Sequence, residues 1–267
     1  MTASSPEILL EARDLVKIYS GRTVVNKVSF TVGHGEIVGL LGRNGAGKTT
    51  SFRMTIGMVR PDGGQVFFAR EEINHLPMYR RARKGIGYLS QESSVFVRLT
   101  VEENLLAILE LLEDVGPMQR RQRAAELMGQ FGLSHVARQE ARTLSGGERR
   151  KLEIARALIM RPKLILLDEP FSGVDPIAVQ DLQREILALR QKFGISILLT
   201  DHNVRETLNV TDRSYIIHES RVIAEGAPRD LINNELVRRS YLGSTFRGDE
   251  FDHLPGGQPP TAPPTAS

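Results

Sequence analysis

The chain has 267 residues, 40% of them hydrophobic and 25% charged, the balance of an ordinary globular protein. Its 35 Lys and Arg stand against 32 Asp and Glu, an excess too small to argue for nucleic acid or an anionic membrane as a partner. There is no Cys, which excludes disulfides, zinc thiolate sites and iron–sulfur clusters. The opening MTASSPEILLEARD lacks a basic region followed by an apolar core, so no secretory leader is expected. Apolar runs such as LILL at 164–167 fall far short of the roughly 20 residues of a bilayer span. A cytoplasmic chain without direct membrane insertion is expected, any membrane association coming through a partner.

In chain order, ILLEARDLVKIY (8–19), TVVNKVSFTV (23–32) and EIVGLL (36–41) are rich in β-branched and apolar residues and read as strands. A helix is predicted to start at Gly47-Lys48. GGQVFFAR (63–70) and GIGYLS (85–90) read as further strands. From about 101 to 160 apolar residues recur at three- and four-residue spacing, the mark of helices, in VEENLLAILELLE and PMQRRQRAAELMGQF. KLILLD (163–168) and ISILLT (195–200) are short continuous apolar runs, as buried parallel strands require. Between them PIAVQDLQREILALRQKF (176–193) is a helix opened by Pro, giving a parallel α/β unit. SYIIHESRVIAEG (214–226) reads as a hairpin and APRDLINNELVRRSYL (227–242) as short helices. GDEFDHLPGGQPPTAPPTAS (248–267) is Pro-rich and too polar to order itself, so 247–267 is predicted to be a disordered tail after one domain, 1–246.

GRNGAGKT (42–49) follows one strand, precedes a helix and fits G-x-x-x-x-G-K-[ST]. Its glycines let backbone N–H groups curl toward phosphates, Lys48 adds a point charge, and the Thr49 hydroxyl suits Mg²⁺. LILLDEP (164–170) sets Asp168 and Glu169 at the C-terminal end of a buried strand, where open α/β sheets bind ligands. Asp168 would hold Mg²⁺ through water, and Glu169 would orient the attacking water or accept its proton. These two motifs predict a P-loop nucleotidase. A second phosphate-binding element stands about a hundred residues on. In TLSGGERRKLEIARAL (143–158), Ser145 is placed as an N-cap before Gly146 and Gly147, at a helix N-terminus whose N–H groups suit an anion.

LSGGE (144–148), followed by a helix and LILLDEP, resembles the signature of the ABC-type ATPases. Further matches occur in order. Gln91 in YLSQES stands at the Q-loop, SGVDP (172–176) is similar to the D-loop, and His202 in LLTDHN is placed as the switch histidine. Tyr19 in VKIYSG matches the aromatic residue that stacks on adenine. The resemblance spans roughly 7–246. It implies an α/β P-loop ABC-type ATPase core with an antiparallel β subdomain and a helical signature subdomain at about 95–160. It implies ATP and Mg²⁺, with Glu169 and His202 catalytic. ATP would be held by Tyr19, by Gly42, Arg43, Asn44, Gly45, Ala46, Gly47, Lys48, Thr49 and Thr50, and by Gln91 and Asp168. Thr49, Gln91 and Asp168 would serve the metal. Arg43 departs from the proline frequent at its position and is expected to face solvent.

The resemblance also accounts for the second anion site. Such subunits dimerise head to tail, and Ser145, Gly146, Gly147 and Glu148 of one would cover the γ-phosphate of ATP on the other. One ATPase domain without a span resembles the separate ATPase subunit of a transporter, here most similar to that of lipopolysaccharide export systems. LTDHNVRETL (199–208), FSGVDPIAV (171–179) and VRRSYLGSTF (237–246) carry that likeness. The homodimer would then sit beneath two membrane-spanning subunits. An ATPase subunit of a branched-chain amino acid importer shares the layout, and a non-transport ABC ATPase is a third reading. Basic clusters YRRARK (79–84) and QRRQR (119–123) lack aromatic interleaving and read as solvated faces, with no nucleic-acid partner. Val95, Phe96 and Val97 form an apolar triplet on a loop expected at the surface; Phe96 is the candidate anchor for a membrane subunit's helix, the alternative being that it tucks into the subunit's own core.

Overall fold

Strand β1 (Ile8–Tyr19) turns through Ser20-Gly21, both in the left-handed region, into its antiparallel partner β2 (Arg22–Gly33). The structure is a computed structural model that describes residues 7–242, so the predicted tail lies outside the described residues. β3 (Ile37–Leu41) is buried at every position and feeds the phosphate loop, after which α1 (Lys48–Ile56) begins. β4 (Gly63–Phe68) and β5 (Glu71–Glu72) precede α2 (Met78–Lys84) and β6 (Ile86–Leu89). Three helices follow: α3 (Val101–Leu109), α4 (Pro117–Gln130) and α5 (Gly146–Leu158). Then come β7 (Leu164–Asp168), α6 (Pro176–Phe193), β8 (Ser196–Asp201) and α7 (Val204–Leu208). The hairpin β9 (Arg213–His218) and β10 (Arg221–Gly226) follows, then α8 (Pro228–Asn233) and α9 (Glu235–Val237), and the described chain closes in a π-helical turn, Arg238–Leu242.

Two sheets result. One is antiparallel, in the order β2-β1-β4-β5; the other runs β10-β9-β3-β8-β7-β6, parallel except for the β9–β10 hairpin. Phe30, Phe52, Val66 and Leu166 belong to a shared apolar core that joins the antiparallel sheet, α1 and one face of the parallel sheet. The other face is covered by α6 through Leu182, Ile186 and Leu189. The helices α3, α4 and α5 bury a core of their own, with Leu105, Met128 and Leu152 in it. Register places the chemistry. Leu41 pairs with Asp201 and Asp168 with Thr200, so Gly42, Glu169 and His202 all emerge at the C-terminal edge of neighbouring parallel strands.

One expectation is corrected here. YRRARK is not a uniformly solvated face: it is the body of α2, and Arg81 within it is 1% exposed. Its guanidinium donates to the carbonyls of Met54 and Thr55 at the end of α1, at 2.9 and 2.6 Å, and to Leu76 O at 2.9 Å. A cation at a helix C-terminus meets both its unpaired carbonyls and its dipole. Burial without a carboxylate partner lowers the Arg81 pKa to about 10, still charged at neutral pH. Gly57 makes room for it, since a Cβ there would lie 2.7 Å from Arg81 Nε.

Candidate active site

The phosphate loop is bent by glycine where no other residue fits. At Gly47, φ is 105° and a Cβ would meet Val24 O at 2.6 Å; at Gly42 it would meet Ile217 O at 2.2 Å. The N-cap of α1 carries no side-chain cap, so the first-turn N–H groups are left for an anion. The Lys48 ammonium donates back across the loop to Gly42 O at 2.6 Å and Arg43 O at 3.2 Å. Its pKa is lowered by burial, an effect that the nearby Glu169 and Asp201 carboxylates oppose. Ala46 N closes the loop onto Arg43 O, while the Arg43 residue itself is exposed, as expected.

A cavity of about 530 Å³ opens over this loop. Asn44, Gly45, Lys48, Thr49 and Thr50 form its floor, and Tyr19, half-exposed with the Lys17 ammonium 5.3 Å from its ring centre, stands on its rim. Glu169, Ser172 and His202 face the loop across it. Glu169 holds φ at 46°, a strained value for a non-glycine residue, and its N–H is tied to Thr200 O at 2.7 Å. His202 Nδ1 lies 3.3 Å from Glu169 Oε2 and 3.6 Å from Asp201 Oδ1.

Asp168 lies behind the cavity and is nearly buried, which raises its pKa. Its Oδ2 accepts from the Tyr88 hydroxyl at 3.3 Å, whereas Oδ1 is buried with no partner. Gln91 is exposed, and its Nε2 donates to Ser172 Oγ at 3.3 Å, joining its loop to the one after Glu169. Asp175, at the end of SGVDP, accepts from Ala178 N in the first turn of α6.

The remaining predicted site residues stand elsewhere. Ser145, Gly146, Gly147 and Glu148 do not line the cavity. Ser145 caps α5 and exchanges hydrogen bonds with Glu148 in a reciprocal box: Ser145 N and Oγ donate to Glu148 Oε2 at 2.9 and 2.6 Å. Those bonds hold the Glu148 pKa below the usual carboxylate range. Gly146 and Gly147 are exposed, with open space where a Cβ would be. The apolar triplet divides: Val95 is buried in the helical core, while Phe96 and Val97 are 45% and 48% exposed. The Phe96 ring lies under the Arg156 guanidinium at 4.6 Å.

Three polar residues to which the sequence assigned no role prove important. Asp201 is fully buried and accepts from the N–H groups of Phe171, His202 and Asn203, fixing the loops that bear Glu169 and His202. Asn104, buried on α3, bonds both Phe96 N and Phe96 O, and so pins the loop that presents the ring. Tyr88 holds Asp168. Asp201 and Tyr88 stand within the quoted LLTDHN and YLSQES, but neither those stretches nor a polar group within an apolar pattern reveals the partner of any of the three.

A fold of this topology, with a phosphate loop facing an Asp-Glu strand end and a histidine, is that of a P-loop ATPase. The profile of the ABC transporter family matches residues 25–172, and the chain belongs to that family. A lipopolysaccharide export system ATP-binding protein, LptB, of Haemophilus influenzae is 54% identical over 239 residues, covering 90% of this chain and 99% of that protein. Its Escherichia coli K12 counterpart is 53% identical over 238 residues, covering 89% and 98%. Among solved structures, the ADP conformation of MJ1267, an ATP-binding cassette of an ABC transporter, superposes with a TM-score of 0.78. That chain is 29% identical, with 88% of this chain and 99% of that one covered. This chain binds nucleotide and hydrolyses ATP as a transporter's ATP-binding subunit.

Proposed function

We propose that the chain powers lipopolysaccharide export, as a peripheral subunit on the cytoplasmic face of the inner membrane beneath two membrane-spanning subunits. The observation that carries this reading is identity above 50% with export ATP-binding proteins of two organisms, along nearly their whole length. No helix among the described residues is long and apolar enough to cross a membrane, so the reading requires membrane partners. Nothing in the site favours the importer or the non-transport alternative.

In the proposed reaction, the triphosphate lies on the loop N–H groups and Lys48, with the base near Tyr19. Glu169 accepts a proton from water as its oxygen attacks the γ-phosphorus and the bond to the ADP oxygen breaks. His202, beside the Glu169 carboxylate, orients it and faces the transferred group. The strained Glu169 backbone aims the carboxylate, and Asp201 holds both flanking loops by three N–H bonds. The buried, unpartnered Asp168 Oδ1 and the Thr49 hydroxyl beside the cavity fit a hard, oxygen-preferring cation, with Gln91 the third candidate ligand. When bound there, Mg²⁺ neutralises phosphate charge.

The signature element acts in trans in this reading. Gly146 and Gly147 have neither left-handed backbone nor close neighbours, so packing within the subunit does not require glycine at either position. Close approach of a second subunit's phosphate does. The dimer is then isologous, with two nucleotides between two copies. Affinity purification of the chain from its native membrane, with identification of co-purified proteins and lipid, tests the assignment. Two polytopic subunits with bound lipopolysaccharide are expected, and a periplasmic amino-acid-binding protein in their place would contradict it.

A further inference from the structure

Tyr88 lies on β6, just ahead of the Q-loop, and does not line the cavity. Its hydroxyl nevertheless reaches Asp168 Oδ2 at 3.3 Å, while its ring packs on Phe52 of α1, with centroids 6.2 Å apart. Strand pairing makes this contact. β6 runs parallel to β7 with Tyr88 opposite Leu166, two residues before Asp168. The Asp168 carboxylate is therefore asymmetric, with one oxygen bonded and the other, Oδ1, buried and unpartnered.

We propose that Tyr88 is a positioning residue for the metal: by bonding Oδ2 it fixes the rotation of the Asp168 carboxylate and presents Oδ1 to the hydrated cation. Asp168 is nearly buried, with little water at hand to restrain the carboxylate in place of the phenol. Without the phenol, Oδ2 loses its hydrogen-bond partner, and the nearby Arg53 charge supplies attraction without fixing the carboxylate's rotation. Tyr88 also stands three residues before Gln91 on the same segment. The inference rests on the reading that Asp168 serves a divalent cation.

Tyr88→Phe tests it, because the ring and its packing on Phe52 are kept. Mn²⁺ is the probe, its binding to the full chain with ADP followed by electron paramagnetic resonance. The Mn²⁺ midpoint is expected to rise about 10- to 100-fold, the cost of losing the hydrogen-bond partner of a metal-ligating carboxylate. ADP affinity in EDTA is expected to stay put, and the thermal midpoint to fall by no more than the loss of one hydrogen bond. In an Asp168→Asn background, Tyr88→Phe should move the Mn²⁺ midpoint no further, since it acts through that carboxylate. An unmoved midpoint in Tyr88→Phe, where Asp168→Asn alone weakens Mn²⁺, overturns the role of Tyr88 and leaves the metal reading intact. An equal loss of ADP affinity in EDTA overturns it too, placing Tyr88 in nucleotide binding. If Asp168→Asn leaves Mn²⁺ binding unchanged, the metal reading falls and Tyr88 with it.

Discussion

Glu169 holds its carboxylate 3.3 Å from the His202 ring, on a backbone turned to φ 46°, at the edge of the nucleotide cavity. Glu169→Gln keeps the size and the contact but removes the proton acceptor. Turnover is expected to fall about 10²- to 10⁴-fold with ATP affinity unchanged, measured by phosphate release and by equilibrium nucleotide binding. A variant that hydrolyses at near the normal rate would show that another group is the base. The positions of Glu169 and the phosphate loop were legible in the sequence because they follow from backbone context: a loop between strand and helix, and a carboxylate at a strand end. Tyr88, Asp201 and Asn104 were not, because each acts through burial against a partner 80, 30 or 8 residues away. Arg81 was misread for the same reason. In an arginine-rich run nothing local distinguishes the one buried side chain from its exposed neighbours.

Elements were easier to read than partners. The apolar spacing and opening Pro of α6 set its bounds at Pro176–Phe193, and β1 spans the predicted 8–19. The helix α2 escaped because its seven residues are mostly charged and lack an apolar stripe. The end of α3 was overrun: VEENLLAILELLE predicts helix to 113, whereas α3 stops at Leu109. At this scale the testable element is α5. Its capping box is complete within one subunit, and its two leading glycines are bare. Ser145→Arg puts bulk where a second copy must approach and removes the serine cap. A small drop in melting temperature is expected, with nucleotide binding retained and ATP-dependent dimer absent by size-exclusion chromatography of an otherwise hydrolysis-deficient chain. A dimer that persists would refute the shared site.

At the scale of the whole molecule, the helical lobe presents Phe96 to solvent at one side of the Gln91 segment, which touches Ser172 beside the nucleotide. A surface aromatic held by Asn104 and roofed by Arg156 is the proposed seat for a membrane subunit's helix. A fully buried Phe deleted to Ala costs about 3–5 kcal/mol. Phe96→Ala should fall well below that in a denaturant melt, keep basal hydrolysis, and lose co-purification with the membrane subunits. A loss of stability in the buried range would remove the docking assignment. The central claim is tested most directly by ATP-driven lipid movement. The complex purified with its own membrane subunits is reconstituted into vesicles carrying lipopolysaccharide, and release to an acceptor is followed over time. Release that requires ATP and stops with Glu169→Gln is the predicted result. Hydrolysis at full rate with no lipopolysaccharide released, from a complex whose membrane subunits are intact, would contradict it.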